Sequence, residues 1–329
     1  MTVAGNGSDR LARLAAILIL AGVSACAVRS VKTTAPDPSA IEITQLWQEP
    51  LDLETRDLFL GAGREVPPPN QSTPLEYVAT DTSGYSPGYD VRDANGVMWD
   101  VKLGPEAQTE VVASRLLWAA GYHQVPTYYV ADWTMSGGPE PRPGPGRFRP
   151  DLAGWKEAGE WSWYENDFVT TQPFKGLVVI NLMMNNWDWK TSNNKIYDVT
   201  QSDGPPERWY VVRDLGASFG RTNFPKLLNW FPMRGLGQGS RNNLEDFERQ
   251  GFIEGTGGDR VDFEYNGIHD PLVETVTTGD VVWAAALLSR LSDAQWRDAF
   301  RAAGYSDEEI SRFVAKLKSK VAEGLALAS

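Results

Sequence analysis

The sequence predicts an α+β protein with a small antiparallel β-sheet in its first half and mostly helices in its second half. Three short strand-like runs lie between residues 75 and 103, separated by a Gly- and Pro-containing loop and a tight turn. Three helical stretches lie near the C-terminus, and two of them begin with capping boxes. Of the 329 residues, 42% are hydrophobic and 22% are charged, which is typical of a globular domain and not of a disordered chain.

The strands of the first half are predicted at 75–81, 89–92 and 97–103. A loop joins the first two strands, and the Asp-Ala-Asn-Gly turn at 93–96 joins the second and third. Lys102 lies near the end of the third strand. A solvated lysine at a strand end is the structural alternative to a functional role for this residue.

A helix is predicted at 106–120, because apolar residues recur there at helical spacing and Gly121 follows as a stop. Glu110 lies in the first half of this helix, and Glu106 lies one turn earlier. An acidic residue at this end of a helix also stabilises the helix dipole, which is the structural alternative for both. A further strand is predicted at 127–131.

A polar loop follows the apolar segment 174–184, which predicts a buried helix. The loop carries Asp188, Lys190 and Asn193. Such a loop on a buried helix is a rigid support for chemistry. Asp and Asn are also ordinary turn residues, so this motif alone would not distinguish a site from a turn.

A hairpin is predicted after this loop, with a short strand at 196–197, a turn at 201–207 and a returning strand at 208–213. The returning strand delivers Asp214 close to Asn193. Their oxygens suit a hard cation such as magnesium. The sequence therefore predicts a magnesium site at Asn193 and Asp214.

These residues are the set that phosphoryl transfer requires. The reaction needs a carboxylate to hold the attacking hydroxyl, an amide oxygen and a second carboxylate to hold magnesium, and a cation near the transferring phosphate. The four groups are supplied by Asp188, Asn193, Asp214 and Lys190. Their order and spacing together favour a functional site over two unrelated turns.

The motifs resemble those of the protein-kinase-like superfamily, on its divergent side with the HipA-type and CotH-type kinases. The resemblance covers roughly residues 75 to 220, and it includes the helix with Glu110, Gly121 and the Val-Pro that follows. It implies a two-lobed protein-kinase-like fold, with a small antiparallel β-sheet N-lobe and a mostly helical C-lobe. It also implies ATP and Mg2+ as cofactors.

The resemblance implies a role for each matching residue. In the catalytic loop, Asp188 matches the base and Lys190 the phosphate-contacting lysine. Asn193 matches one metal ligand, and Asp214, in Asp-Leu-Gly, matches the other. Lys102 and Glu110 match the nucleotide-positioning ion pair, and the phosphate-cradling loop would contain Gly84, Ser86 and Gly88. Two features depart from the family pattern: Asn186-Trp187 replaces the His-Arg before the base, and only eight residues separate Lys102 from Glu110.

The N-terminus carries features of export. Arg10 and Arg13 precede the apolar run 14–23, which is too short to span a bilayer but suits the core of a secretory signal. Small residues then lead to Cys26, the one cysteine of the chain, and resemble a bacterial lipoprotein box. The resemblance implies a lipidated Cys26 and an extracytoplasmic location in the bacterial cell envelope, with the lipid anchor as the membrane contact. With one cysteine, an intrachain disulfide is excluded.

Four regions are predicted. Residues 1–26 are the lipoprotein signal, 27–50 a flexible tether, 51–132 the N-lobe, and 133–329 an insertion followed by the C-lobe. The Pro- and Gly-rich segment 136–150 is interpreted as an insertion at the mouth of the cleft. The segment 217–255 corresponds in position to an activation or substrate-binding segment. Helices are predicted at 278–291, 292–303 and 306–323.

Composition excludes several classes. The net charge of −12 disfavours nonspecific nucleic-acid binding, and two histidines with one committed cysteine make a zinc site improbable. Thirteen tryptophans could form a stacking surface, although large aromatic residues more often pack in the core.

The predicted function is ATP- and Mg2+-dependent phosphoryl transfer to a hydroxyl of a protein or cell-envelope acceptor. The alternatives are a catalytically inactive kinase fold that serves as an envelope binding module, and a carbohydrate-binding lipoprotein, which would leave the carboxylate spacing unexplained.

Overall fold

A computed structural model describes residues 40–63, 66–82, 86–139, 144–200, 204–222, 239–265 and 269–328. The predicted lipidation site Cys26 and the predicted loop residue Gly84 lie outside these ranges. The structure contains a large sheet in the first half and helices in the second half. The predicted α+β class is confirmed, with a mostly antiparallel sheet in the first part of the chain, here called the N-lobe, and mostly helices in the second part, here called the C-lobe.

The N-lobe sheet is built around three antiparallel strands, β1 (Leu75–Asp81), β2 (Gly88–Arg92) and β3 (Met98–Leu103). These agree with the predicted strands to within one residue. The turn between β2 and β3 forms because the Asp93 carboxylate accepts hydrogen bonds from the backbone N–H groups of Asn95 and Val97, both at 2.9 Å. Gly96, with φ of 83°, closes this turn.

Three further strands complete this sheet: β4 (Tyr128–Val130), β5 (Met135–Ser136) and β6 (Gly146–Pro150). In the described part of the chain the strand order is β4-β6-β3-β2-β1-β5, and β5 runs parallel to β1 while the other pairs are antiparallel. Strand β6 therefore lies between β4 and β3. The pairing of β6 with these two strands determines which of its side chains face the cleft.

The position of β6 corrects the interpretation of 136–150 as an insertion. Phe148 is fully buried and packs edge-on against Trp99 and Trp133, with ring centroids 6.2 and 5.0 Å apart. The burial of Phe148 offsets the conformational entropy that is lost when a strand forms in this segment, whose Pro and Gly content indicated a loop. The N-lobe sheet consequently extends to Pro150, beyond the predicted boundary at 132.

Helix α2 (Glu106–Ala119) packs across the N-lobe sheet and is buried on almost every side. Its acidic residues Glu106 and Glu110 are buried with the apolar ones, so both require charged partners. Gly121, two residues after the end of this helix, has a φ of 98°. A Cβ at this position would collide with the carbonyl oxygen of Gln48, so glycine is required both by the conformation and by the space.

The C-lobe contains the helices α3 (Gln172–Met183), α4 (Leu244–Arg249), α5 (Asp270–Val273), α6 (Thr278–Ser289), α7 (Asp293–Arg301) and α8 (Asp307–Leu325). The predicted capping boxes begin α7 and α8, where Ser292 pairs with Gln295 and Ser306 with Glu309. A third box, missed in the sequence, begins α6. The buried helix predicted at 174–184 is α3, which packs against α6.

Two smaller antiparallel sheets belong to the C-lobe. The first contains β7 (Trp155–Glu160), β8 (Asn194–Val199) and β9 (Glu207–Val212), and the second contains β10 (Ile253–Gly257) and β11 (Arg260–Phe263). Strand β8 is longer than the predicted 196–197, because it pairs with strands on both of its sides. The β8–β9 hairpin forms as predicted and ends next to Asp214.

Residues 40–50, assigned from the sequence to the tether, differ from that expectation. They include helix α1 (Ala40–Leu46), and Leu46 is buried at 1% exposure. Trp47 packs against Trp283 of α6 with ring centroids 5.2 Å apart. This part of the segment is therefore packed on the domain. None of the helices in the described ranges combines the length and apolar character that a bilayer span requires.

Candidate active site

A polar cavity of about 690 Å³ lies between the N-lobe sheet and the loop that follows α3. The predicted site residues that line it are Ser86, Gly88, Lys102, Asp188, Lys190, Asn193 and Asp214. Glu110 does not line the cavity but is buried behind Lys102. The tertiary structure thus collects, in one cavity, residues that the sequence places in three separate segments.

Lys102 is held by carboxylates from two directions. Its ammonium group contacts the Asp214 carboxylate, and it lies 3.4 Å from Glu106 and 3.8 Å from Glu110. Of the two glutamates on α2, Glu106 is the nearer partner. The pairs of Lys102 with Glu106 and with Glu110 are shielded from water, which strengthens them relative to surface pairs.

Glu106 also contacts two other residues of the cavity wall. It accepts a 2.9 Å hydrogen bond from the hydroxyl of Ser86, a residue of the predicted phosphate-cradling loop. It also contacts the guanidinium group of Arg241, which sequence reasoning did not single out. Arg241 in turn lies over the ring of Trp187, 4.8 Å from its centroid.

Glu110 has two arginine partners that the sequence analysis missed. Its carboxylate lies 3.2 Å from Arg147 Nε and 3.6 Å from Arg149 Nη1. Both arginines belong to β6, where they alternate with the buried Phe148. This Arg-Phe-Arg alternation is a strand signal that the Pro and Gly residues around it concealed.

The loop that carries Asp188 is held at its start by a series of amide groups. Asn181 of α3 accepts a 2.8 Å hydrogen bond from the Asn186 side chain. Asn186 accepts one of 3.2 Å from the backbone N–H of Asp188. All of the amide groups in this series are buried, so the series orients the backbone at Asp188 with little freedom. Asn186 thus has a structural role at the position where the family pattern has histidine.

A buried lysine supports the same loop from below. Lys320 of α8 is fully buried and donates hydrogen bonds to the Met183 carbonyl, at 3.0 Å, and to the Asn185 side chain, at 2.6 Å. Burial lowers the pKa of Lys320 well below its ordinary value. Asn185 has a positive φ of 53° and donates to the Gly220 carbonyl at 2.7 Å. This contact joins the loop to the segment after Asp214.

Within the loop, Lys190 and Asn193 both contact Asp188. The Lys190 ammonium lies 2.8 Å from the Asp188 carboxylate. The Asn193 side-chain nitrogen donates a 3.0 Å hydrogen bond to the Asp188 carbonyl. Because this bond uses the nitrogen of the amide, the side-chain oxygen is the atom that could coordinate a cation. The Arg213 N–H donates to the Asn193 carbonyl at 3.0 Å, which places Asp214 beside Asn193.

Asp214 has a strained backbone, with φ of 57°, in the left-handed region that Asp tolerates better than most residues. Burial alone would raise the pKa of Asp214, but the Lys102 ammonium outweighs this effect and holds the pKa below its ordinary value. Two residues later, Gly216 lies so close to α2 that a Cβ would meet the Glu106 side chain. The Thr109 hydroxyl donates to the Gly216 carbonyl at 2.8 Å and fixes this close approach.

The side-chain oxygens of Asn193 and Asp214 suit magnesium, which takes its other ligands from water and phosphate. They are too few for a metal site whose ligands all come from the protein. In the described ranges, no group of three or more His, Cys, Asp or Glu side chains could hold a metal ion. Magnesium in phosphate-handling sites commonly uses one or two carboxylates, with the remaining positions filled by water and substrate phosphate. An amide oxygen and an ionised carboxylate at the cavity wall match this requirement.

The tryptophans beside the site pack mainly as the sequence analysis favoured. Trp189 is buried and stacks on His269, with ring centroids 5.2 Å apart. Trp187 lines the cavity and donates a 3.0 Å hydrogen bond from its indole nitrogen to the Ser240 carbonyl. These two rings hold the loop that carries Asp188 against the core on one side and against residues 239–241 on the other.

Comparisons with known proteins give few matches. No family model matches the chain, and no curated protein matches it. The fold is similar to the crystal structure of a Helicobacter pylori proinflammatory kinase, CtkA, with a TM-score of 0.47 and 11% identity over 78% of this chain and 97% of that chain. It is also similar to the crystal structure of the Golgi casein kinase, with a TM-score of 0.35 and 10% identity over 85% of this chain and 76% of that chain.

Proposed function

We propose that this protein is an ATP- and Mg2+-dependent phosphotransferase that acts on a hydroxyl group of a protein or cell-envelope molecule. One observation carries the proposal: a single cavity collects Asp188, Asn193, Asp214 and Lys102, although Lys102 and Asp214 are 112 residues apart. These are the groups that phosphoryl transfer needs. Their convergence is unexplained if the two motifs are ordinary turns.

In the proposed reaction, Asp188 orients the acceptor hydroxyl and receives its proton. The acceptor oxygen forms a bond to the terminal phosphorus of ATP, the bond from that phosphorus to the bridging oxygen breaks, and ADP leaves. Lys190, 2.8 Å from the Asp188 carboxylate, is placed to neutralise the phosphate oxygens beside the base. Removing charge repulsion between the phosphoryl group and Asp188 would favour their close approach.

Asn193 and Asp214 would hold magnesium through their side-chain oxygens, and the bound ion would neutralise charge on the phosphate oxygens of ATP. Lys102 would bind the same phosphates from the N-lobe side. Because Asp214 and Glu106 hold Lys102 from two directions, little side-chain entropy remains to be lost on binding. Ser86 and Gly88 line the roof of the cavity above this point.

The direct test uses the full-length protein in detergent. It is incubated with Mg2+, ATP labelled in the terminal phosphate and an envelope extract, and the label in the extract is measured. We expect transfer to macromolecules of the extract that is abolished by a metal chelator. Nucleotide binding without any transfer would identify a binding module instead. Absence of metal-dependent ATP binding would overturn the proposal as a whole.

The proposed location is extracytoplasmic, in the bacterial cell envelope, with a lipid anchor on Cys26. Cys26→Ser removes the atom that would carry the lipid. The variant is expected to accumulate as an unprocessed precursor or to leave the membrane fraction. If it remains in membranes at the wild-type level and size, the N-terminal segment is an uncleaved anchor and Cys26 is not the attachment point.

A further inference from the structure

The inner wall of the cavity is lined by arginines. Arg147 and Arg149 project from β6, and Arg213 follows β9 from the C-lobe. The strand register places Arg149 opposite Asp100 and Arg147 opposite Lys102. Guanidinium groups from both lobes therefore line the cavity that contains Lys102.

The carboxylates of this wall only partly balance its positive charge. Arg147 and Arg149 share Asp100 and Glu110. Arg213 donates a 2.7 Å hydrogen bond to the Tyr197 hydroxyl, and its contact with the half-exposed Glu157 is long, at 3.5 Å. Arg213 therefore has no close buried carboxylate partner among the described residues.

Two donors in the wall also lack acceptors. The Nε atoms of Arg147 and Arg213 are buried and make no hydrogen bond to any described residue. Arg147 Nε lies 3.2 Å from Glu110, but as an ion pair without hydrogen-bond alignment. Buried donors without acceptors are costly. An anionic ligand in the cavity would supply acceptor oxygens where the protein does not.

The wall continues into a second space. Asp100, Arg149 and Arg213 line both the main cavity and a neighbouring cavity of about 410 Å³. The second cavity is lined further by apolar and aromatic residues, among them Trp99, Leu152 and Trp155, and by the carboxylates of Asp90, Asp151 and Glu157. A ligand that extends from Lys102 into this more apolar space must pass Arg149 and Arg213.

We propose that Arg149 and Arg213 form an anion subsite that binds the phosphates of the donor that are not transferred. The inference rests on the proposed function and deepens it, because it assigns separate residues of the main cavity to different parts of one phosphate chain. Asp188, Asn193 and Asp214 act on the terminal phosphoryl group, and the arginine pair holds the chain behind it. The planar guanidinium fork suits two oxygens of one phosphate.

The probe for this subsite is inorganic tripolyphosphate, which has a phosphate chain and no base. Its binding to the full-length protein is measured by calorimetry without metal, for wild type and Arg213→Met. Loss of a charge-assisted pair to phosphate should weaken binding by about tenfold or more. Arg208→Met is the matched control, because Arg208 lies on β9 but is exposed and pairs with Asp198. The control should bind as wild type does.

A second variant covers the case in which Arg213→Met does not fold. Arg213→Lys keeps the charge and loses the fork, and it should weaken tripolyphosphate binding by a smaller factor. Wild-type affinity in the folded Arg213 variants would overturn the inference. If ATP-dependent transfer occurs but tripolyphosphate neither binds nor competes with ATP, the subsite is absent and the proposed function stands. If tripolyphosphate binds through Arg213 and no transfer occurs, the subsite stands and the proposed function fails.

Discussion

The ammonium group of Lys102 contacts the carboxylate of Asp214 across the cleft, although 112 residues separate them in the chain. Lys102 is the penultimate residue of β3 in the N-lobe, and Asp214 follows β9 of the C-lobe. The contact therefore joins the two lobes at the point where the proposed phosphate chain would enter. It also keeps Asp214 ionised, as coordination of magnesium requires.

Removing the Asp214 carboxylate should abolish the magnesium dependence of nucleotide binding. Asp214→Gly is the informative change, since glycine accepts the positive φ of this position without strain. We expect ATP to bind equally with and without Mg2+ in calorimetry, and more weakly than in wild type with Mg2+. Asp198→Ala, which removes an exposed carboxylate from β8, is the control. Full magnesium dependence in Asp214→Gly would show that this carboxylate is not a metal ligand.

Asp188→Asn tests chemistry against binding. The change keeps the size of the side chain and removes its charge and most of its basicity, so the rate of transfer should fall by about 100-fold or more. Nucleotide affinity should change little. The rate is measured with labelled ATP, and Asp262→Asn, on the exposed side of β11, is the control. Equal rates for Asp188→Asn and wild type would rule out Asp188 as the base.

The two glutamates of α2 should respond differently to loss of charge. Glu110→Gln leaves the buried Arg147 and Arg149 with less counter-charge, so the free energy of unfolding should fall by about 3 kcal/mol. Glu106→Gln removes the nearer carboxylate from Lys102 and should mainly weaken ATP binding. Urea unfolding and calorimetry measure the two effects, with the exposed Glu254→Gln as control. The reverse pattern would mean that Glu110 is the residue that positions Lys102.

Stability should decrease on acidification because two histidines are buried in neutral form. Burial lowers the pKa of His123 and of His269 to about 4, from an ordinary value of 6.5. As the pH falls below 6.5 the unfolded chain therefore takes up protons before the folded protein does, and the free energy of unfolding drops by up to about 1.4 kcal/mol per pH unit for each histidine. Urea unfolding between about pH 7 and pH 5 measures this slope.

His123→Phe provides the control for this slope. Phenylalanine can keep the stacking on Trp209, where the ring centroids are 4.2 Å apart. It cannot titrate, so the contribution of this histidine to the slope should disappear while that of His269 remains. A slope equal to that of wild type would show that His123 does not titrate differently in the folded and unfolded states.

Local sequence was sufficient for much of the fold and for part of the lining of the candidate site. The turn at 93–96, the capping boxes of α7 and α8 and the helix stop at Gly121 depend on residues within a few positions of one another. The same holds for Asp188 and Asn193, which lie in one loop. Each of these features could be predicted because its energetics are decided by neighbours along the chain.

The partners of these residues were decided by tertiary structure alone. Glu106 lies nearer to Lys102 than Glu110 does, because α2 packs on the N-lobe sheet with Glu110 turned toward β6. The arginines of β6 reach the cleft only because this strand pairs beside β3, and Lys320 supports the loop that carries Asp188 from a helix more than a hundred residues away. Strand order and helix packing arise from burial summed over the whole core. No local pattern carries that information, so the charges behind the site could not be read from the sequence.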